Sequence, residues 1–262
     1  MTQLTSDMLW HRSQAKHPSS ILRVKKGFSL IEMLLVIAII AILATIMVPT
    51  VNRGILAAKG TKSLAQLRSI SQLVELYAQD NDSAFPPSWN NAEGKTYAQY
   101  LSDYAYGKDY RQLDSIFISP FARKKLQLYT GSDGTVYSHP ISYSANPKIM
   151  RDTSPYPGWA TTYAVKQTVV DHPTEMIMIC DGTLVPSNLN QARADFYAAD
   201  NWQIHNEIDV VGRAIDVGPD ADTDAAHGNI RYPYAEKTSA AMCDGSAKHF
   251  RKGTILTQNV YY

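Results

Sequence analysis

The stretch KKGFSLIEMLLVIAIIAILATIMVP, residues 25–49, decides how the rest of the chain is read. From Leu30 to Val48 it holds nineteen residues whose single charge is Glu32. As a helix rising about 1.5 Å per residue it reaches roughly 28 Å, close to the hydrocarbon thickness of a bilayer. A soluble core helix keeps a polar face over such a length, and this one has none. The segment therefore predicts a transmembrane helix over 28–49, and Glu32 is its anomaly. A carboxylate near a span's end either snorkels to the interface or needs a partner.

Charge is distributed unevenly about this segment. The 262 residues carry a net +1, but residues 1–27 hold Arg12, Lys16, Arg23, Lys25 and Lys26 against Asp7. That leaves the remainder slightly acidic, without the basic field a nucleic-acid binder needs. Arg23, Lys25 and Lys26 crowd the boundary and favour a cytoplasmic N-terminus, although Arg53, Lys59, Lys62 and Arg68 follow the span. A secretory signal peptide fits poorly. Cleavage after Ala44 or Ala58 would place Ile42 or Leu56 where a small residue is required.

Beyond Pro49, Leu64, Leu67, Ile70, Val74 and Tyr77 recur at three- and four-residue steps. That periodicity predicts an amphipathic helix over about 61–79, the second half (50–80) of one long N-terminal helix kinked near Pro49, Gly54 and Gly60. A short second helix is expected near 96–104. From about 115 onward, short apolar runs alternate with Gly, Pro, Asn and Asp clusters, the texture of antiparallel strands. The fold class is therefore α+β, with an extracytoplasmic globular domain over 81–262. "MIMICDGT" (176–183) and "AAMCDGSA" (240–247) echo one another, each read as a strand ending in an Asp-Gly turn.

Lys-Gly-Phe-Ser-Leu-Ile-Glu followed by the apolar run resembles the prepilin signal of type IV pilins and type II secretion pseudopilins. The resemblance implies cleavage after Gly27 by a prepilin peptidase, methylation of the new Phe28 amine, and polymerisation through the N-terminal helix. Residues 1–27 would be the basic leader. Glu32 would neutralise the Phe28 ammonium of its own chain or of a neighbour, setting register, since an unpaired buried charge is costly. The implied partners are the peptidase, an inner-membrane assembly platform with its ATPase, membrane lipid, and copies of this chain or other pseudopilins. The implied location is a single-pass inner-membrane protein with a periplasmic domain that ends in a filament.

The stretch "YAQDNDSAFPP" (77–87) resembles the helix exit of type II secretion pseudopilins, which favours a pseudopilus over a pilus. The C-terminal region resembles pilin-like proteins that carry a His, nine residues and Asp-Gly. Here sixteen residues separate His227 from Asp244-Gly245, a departure from that pattern.

Asp220, Asp222 and Asp224 alternate like the start of a calcium loop. Ala225 and Arg231 stand where an EF-hand wants Gly and Glu, so that motif is rejected. An irregular calcium loop and a solvated acidic loop both remain open, and no cofactor is otherwise required. Cys180 and Cys243 would lie outside the cytoplasm, as a disulfide or as two buried thiols. The scattered histidines form no H-E-x-x-H, and no C-x-x-C, G-x-S-x-G or phosphate loop occurs. The sequence shows no catalytic constellation, and the expected role is mechanical. The competing reading is a signal-anchored periplasmic enzyme or binding protein that never polymerises.

Overall fold

A computed structural model describes residues 27–90, 92–106, 116–122, 129–130, 136–138, 141–153, 164–185, 191–192, 212, 214–215 and 229–260. The chain divides into two units, Met1–Thr50 and Val51–Tyr262. Helix α1, Leu30–Asp80, begins in the first and ends in the second, with Pro49 inside it. In the first unit every described residue is exposed. The polar side chains there turn inward on their own helix. Thr45 Oγ1 donates to the Ala41 carbonyl at 2.8 Å and Thr50 Oγ1 to that of Ile46 at 3.1 Å. Apolar surroundings demand such internal satisfaction.

In the second unit α1 behaves as an amphipathic helix. Gly60, Ser63, Gln66, Leu67, Ile70, Ser71, Val74 and Ala78 are buried, all on one face. That face lies against a four-stranded antiparallel sheet in which Ala247–Arg251, Lys237–Met242, Ile177–Asp181 and Tyr143–Ala145 lie side by side in that order. Its strands are β5 (Tyr143–Ala145), β6 (Ile177–Asp181), β9 (Lys237–Met242) and β10 (Ala247–Arg251). The other described strand pairs are short: β1 (Trp89–Asn90) with β2 (Lys95–Thr96), β3 (Tyr129–Thr130) with β4 (Val136–Ser138), and β7 (Leu184–Val185) with β8 (Gln191–Ala192). Helix α2, Tyr97–Tyr106, falls where the sequence expects it. The fold is α+β.

The sheet separates two hydrophobic clusters. Leu67, Ile70 and Val74 of α1 join Tyr143, Ala145, Ile179, Ala241 and Ala247 on one side. Ile177, Cys180, Ala240, Met242 and Val260 gather on the other. Strict alternation would put Ile177 and Ile179 on the same side. A register shift between them against β9 breaks the alternation. Met178 and Ile179 then both reach the helix side, while Cys180 returns to the far side.

α1 stops by a left-handed exit. Asp82 and Ser83 have φ of 54° and 59°, and the Ser83 amide donates to the Ala78 carbonyl at 2.8 Å. Asn81 Nδ2 donates to the Tyr77 carbonyl at 2.7 Å, closing another free end. Residues 165–167 pin this exit: Phe85 and Gln167 amides pair across it with Val165 and Ser83 carbonyls, and Lys166 bonds the Asp82 carboxylate.

Candidate processing and assembly site

The residues around the predicted cleavage point are non-helical and open. Gly27 has no atom within 4 Å of where a Cβ would stand, and Phe28 is 78% exposed. Helix begins at Leu30. A scissile bond two residues ahead of a helix, in open backbone, is accessible to a protease.

Glu32 already has a partner in its own chain. Its Oε2 accepts the Ser29 backbone N–H at 2.8 Å, while Ser29 Oγ accepts the Ile31 N–H at 3.4 Å. The Ser29 carbonyl accepts the Met33 N–H at 3.2 Å, the first helical bond. Ser29 is therefore the N-cap of α1, and Glu32 stands at the third helical position of a capping box. Four amide hydrogens are left unpaired at any helix start, and here two find side-chain acceptors. A negative charge in the first turn also favours the positive end of the helix dipole. Ser-x-x-Glu ahead of an apolar run is the sequence signature of this box.

The second half of α1 exposes Lys62, Arg68, Glu75 and Asp80 on its outer face, with Ala65, Ser69, Gln72 and Leu76 between them. Its inner face meets a polar cluster in the core. Tyr143 Oη lies 3.1 Å from Ser63 Oγ and donates to Gln66 Oε1 at 3.0 Å. Ser63 Oγ also reaches Asp181 Oδ2 at 3.5 Å. Burial pushes the Asp181 carboxyl up to about 6, against the opposing pull of the Ser119 hydroxyl, the Arg231 guanidinium and Ser239. Arg231 itself donates to the Phe121 carbonyl at 2.9 Å, tying a loop to the sheet.

Near the start of the packed half, Gly60 faces the Tyr234 ring. A Cβ there would lie 3.2 Å from two ring carbons and 3.5 Å from His249 Nε2. Gly60 was read as a flexible point in the sequence, but in the structure its missing side chain makes room for an aromatic ring.

Two expectations are corrected. Asp244-Gly245 is indeed a hairpin turn between β9 and β10, with Gly245 at φ 84° and the Met242 amide bonded to the Ser246 carbonyl. Asp181-Gly182 is not a turn. Asp181 is the fully buried last residue of β6, and Gly182 continues the sheet, bridging to Ile230. The disulfide also fails. Cys180 and Cys243 are free, the first opposite Ala240 and facing the far cluster, the second in the hairpin turn and packed against the helix-side cluster. Three residues of strand, about 10 Å, separate the Cys180 partner from Cys243, beyond the reach of a disulfide. Burial pushes both thiols up, that of Cys243 to about 12. Asp220, Asp222 and Asp224, together with His227 and the leader residues 1–26, lie outside the described residues.

Comparison with known proteins adds two findings. Residues 22–48 match the family model described as the prokaryotic N-terminal methylation motif. A 62-residue stretch is 44% identical to the type IV wide pilus major component PilA4 of Thermus thermophilus, covering 24% of this chain and 47% of that protein. The match thus spans about half the length of the curated relative. No solved structure matches.

Proposed function

We propose, from the match of residues 22–48 to the methylation motif and the likeness of 62 residues to a pilus component, that the chain is a pilin-like structural subunit of an envelope filament. The observation that supports this reading most is the junction itself. An open Gly27-Phe28 bond precedes a capped helix whose first half is apolar on every face and wholly exposed. Such a helix needs lipid before assembly and neighbouring helices after it.

In this reading a prepilin peptidase cuts after Gly27 and methylates the Phe28 amine. α1 anchors the precursor as a single-pass inner-membrane protein with residues beyond the span in the periplasm. An assembly platform and its ATPase then lift it into the filament. The cut replaces a neutral amide one residue ahead of the cap with an ammonium. Glu32 is the nearest carboxylate to it in sequence, so the charge of the new terminus is met by a group already held at the helix start. The protein's work is mechanical rather than catalytic.

The exit of α1 at 77–87 favours a type II secretion pseudopilus. A type IV pilus is the second reading, favoured by the relative's own description as a pilus component. Peptide mass of the membrane protein, expressed with its peptidase, tests the common core: a peptide starting at Phe28 and one methyl group heavier is expected. A chain still carrying residues ahead of Phe28 overturns it. Loss of secreted proteins on deletion, without loss of surface fibres, assigns the pseudopilus; the reverse assigns the pilus.

A further inference from the structure

The outer face of α1's second half carries its charges in a segregated pattern. Lys62 and Arg68 come first and Glu75 and Asp80 follow, all four exposed. None of the four is in an ion pair among the described residues, where the recorded pairs are Lys95 with Glu93 and Lys166 with Asp82. Glu75 accepts a neutral hydrogen bond from Gln167 Nε2, and Arg68 Nη2 donates to the Ala247 carbonyl. Among the described residues Lys62 and Asp80 have neither.

At about 100° per residue, Lys62 and Asp80 share one flank of the exposed face while Arg68 and Glu75 share the other. Between the flanks runs an uncharged strip of Ala65, Ser69, Gln72 and Leu76, of which Leu76 is 47% exposed. The Ser69 hydroxyl is turned back on the Ala65 carbonyl, so the strip asks little of water. Two parallel helices facing across this strip oppose one copy's first flank to the other's second. In register, that brings Lys62 near Arg68 and Glu75 near Asp80, like against like. Displaced by twelve to thirteen residues, about 19 Å along the axis, the same faces bring Lys62 against Glu75 and Arg68 against Asp80. Both flanks are then complementary at one displacement.

We propose that this face is a docking surface for a second copy of the chain, and that Lys62–Glu75 and Arg68–Asp80 set the stagger between neighbours. The contact rests on the filament reading above and deepens it, because helices anchored in one membrane run parallel and exclude the antiparallel pairing of Lys62 with Asp80. At zero displacement like charges stand roughly 8–9 Å apart along the axis and repel weakly, whereas at the correct displacement opposite charges stand level, so the pattern favours one register over general stickiness.

Charge reversal in the full chain, expressed with its peptidase and assembly system, is the test. Lys62→Glu is expected to lower sheared-filament yield roughly two- to fivefold, the span of one exposed pair. Lys62→Glu with Glu75→Lys is expected to recover it, as is Arg68→Glu with Asp80→Lys over its own singles. In a Cys243→Ser background, co-expressed Lys62→Cys and Glu75→Cys chains are expected to cross-link. Full yield from every single reversal, or linking of Lys62→Cys to Asp80→Cys chains instead, overturns the stagger while leaving the filament reading intact. A parent chain that is never cut at Phe28 and leaves no filaments overturns both.

Discussion

Glu32 Oε2 accepts the backbone N–H of Ser29 at 2.8 Å, three residues back across the start of α1. The carboxylate that looked out of place in an apolar run is thus the acceptor half of a capping box, before any neighbouring subunit is considered. The observed role of this side chain is hydrogen-bond acceptor for the cap; the proposed cut at Phe28 would give it a second, as the negative charge beside a new ammonium.

Those roles separate by substitution. Glutamine also caps, whereas alanine cannot, and losing a cap typically costs about 0.5–2 kcal/mol of local helix stability. Glu32→Gln should keep slow exchange of the Ser29 amide in micelles yet assemble poorly. Glu32→Ala should lose both. Parental assembly of Glu32→Gln would show that the charge is irrelevant and the cap sufficient.

Gly60 should tolerate no branched side chain. Its Cβ position is already 3.2 Å from the Tyr234 ring, and that ring stacks on Phe121 at 6.1 Å between centroids. Gly60→Val is expected to destabilise by about 1–3 kcal/mol through overpacking, despite removing a glycine from a helix. Thermal melts of the full chain in detergent check this, and Gly54→Val is the control, having nothing within 4 Å.

Asp181 predicts a pH dependence whose sign is fixed by burial. Its carboxyl titrates near 6 in the folded chain, above the ordinary 3.8, so the folded state holds the proton more tightly than the unfolded one. The group's cost is full above about pH 6 and disappears as pH falls below about 4. Asp181→Asn should remove this dependence. The melting temperature of the variant minus that of the parent should therefore shrink between pH 6 and pH 4. A difference independent of pH would refute the assignment.

The two thiols should be free and slow. Cys180 is fully buried and Cys243 partly so, and burial raises both above their usual range, leaving little thiolate at pH 8. Intact mass should not change on reduction. Alkylation should reach Cys243 first and Cys180 only on unfolding.

Leu67 lies fully buried where α1 meets the sheet. Leu67→Ala should cost about 2–5 kcal/mol. Exposed Leu76, one helical strip away, should cost far less as Leu76→Ala in the monomer and affect filament yield instead.

Much of this protein was legible because its signals are local. A nineteen-residue run with Glu32 as its single charge specifies a long apolar helix, and Leu67, Ile70 and Val74 at helical spacing specify a buried face, because each depends on neighbours within a turn or two. The cap is equally local: Ser29 and Glu32 stand at the Ser-x-x-Glu spacing, although the charge of Glu32 is a more conspicuous signal than the amide three residues away. Asp181 and Asp244 had the same Cys-Asp-Gly setting in sequence and went to different fates.

Sequence alone carried the apolar helix, the amphipathic helix beyond it, the antiparallel strand texture and the N-terminal methylation motif. Tertiary structure decided what identical words mean. One Cys-Asp-Gly became a hairpin turn because the chain there reverses between β9 and β10, and Gly245 supplies the left-handed backbone. The other was drawn into the sheet, where the shifted register of β6 sends Cys180 to one core and Asp181 to the other. Register and bulges depend on which strands meet across many residues of chain, and no window of sequence contains that information.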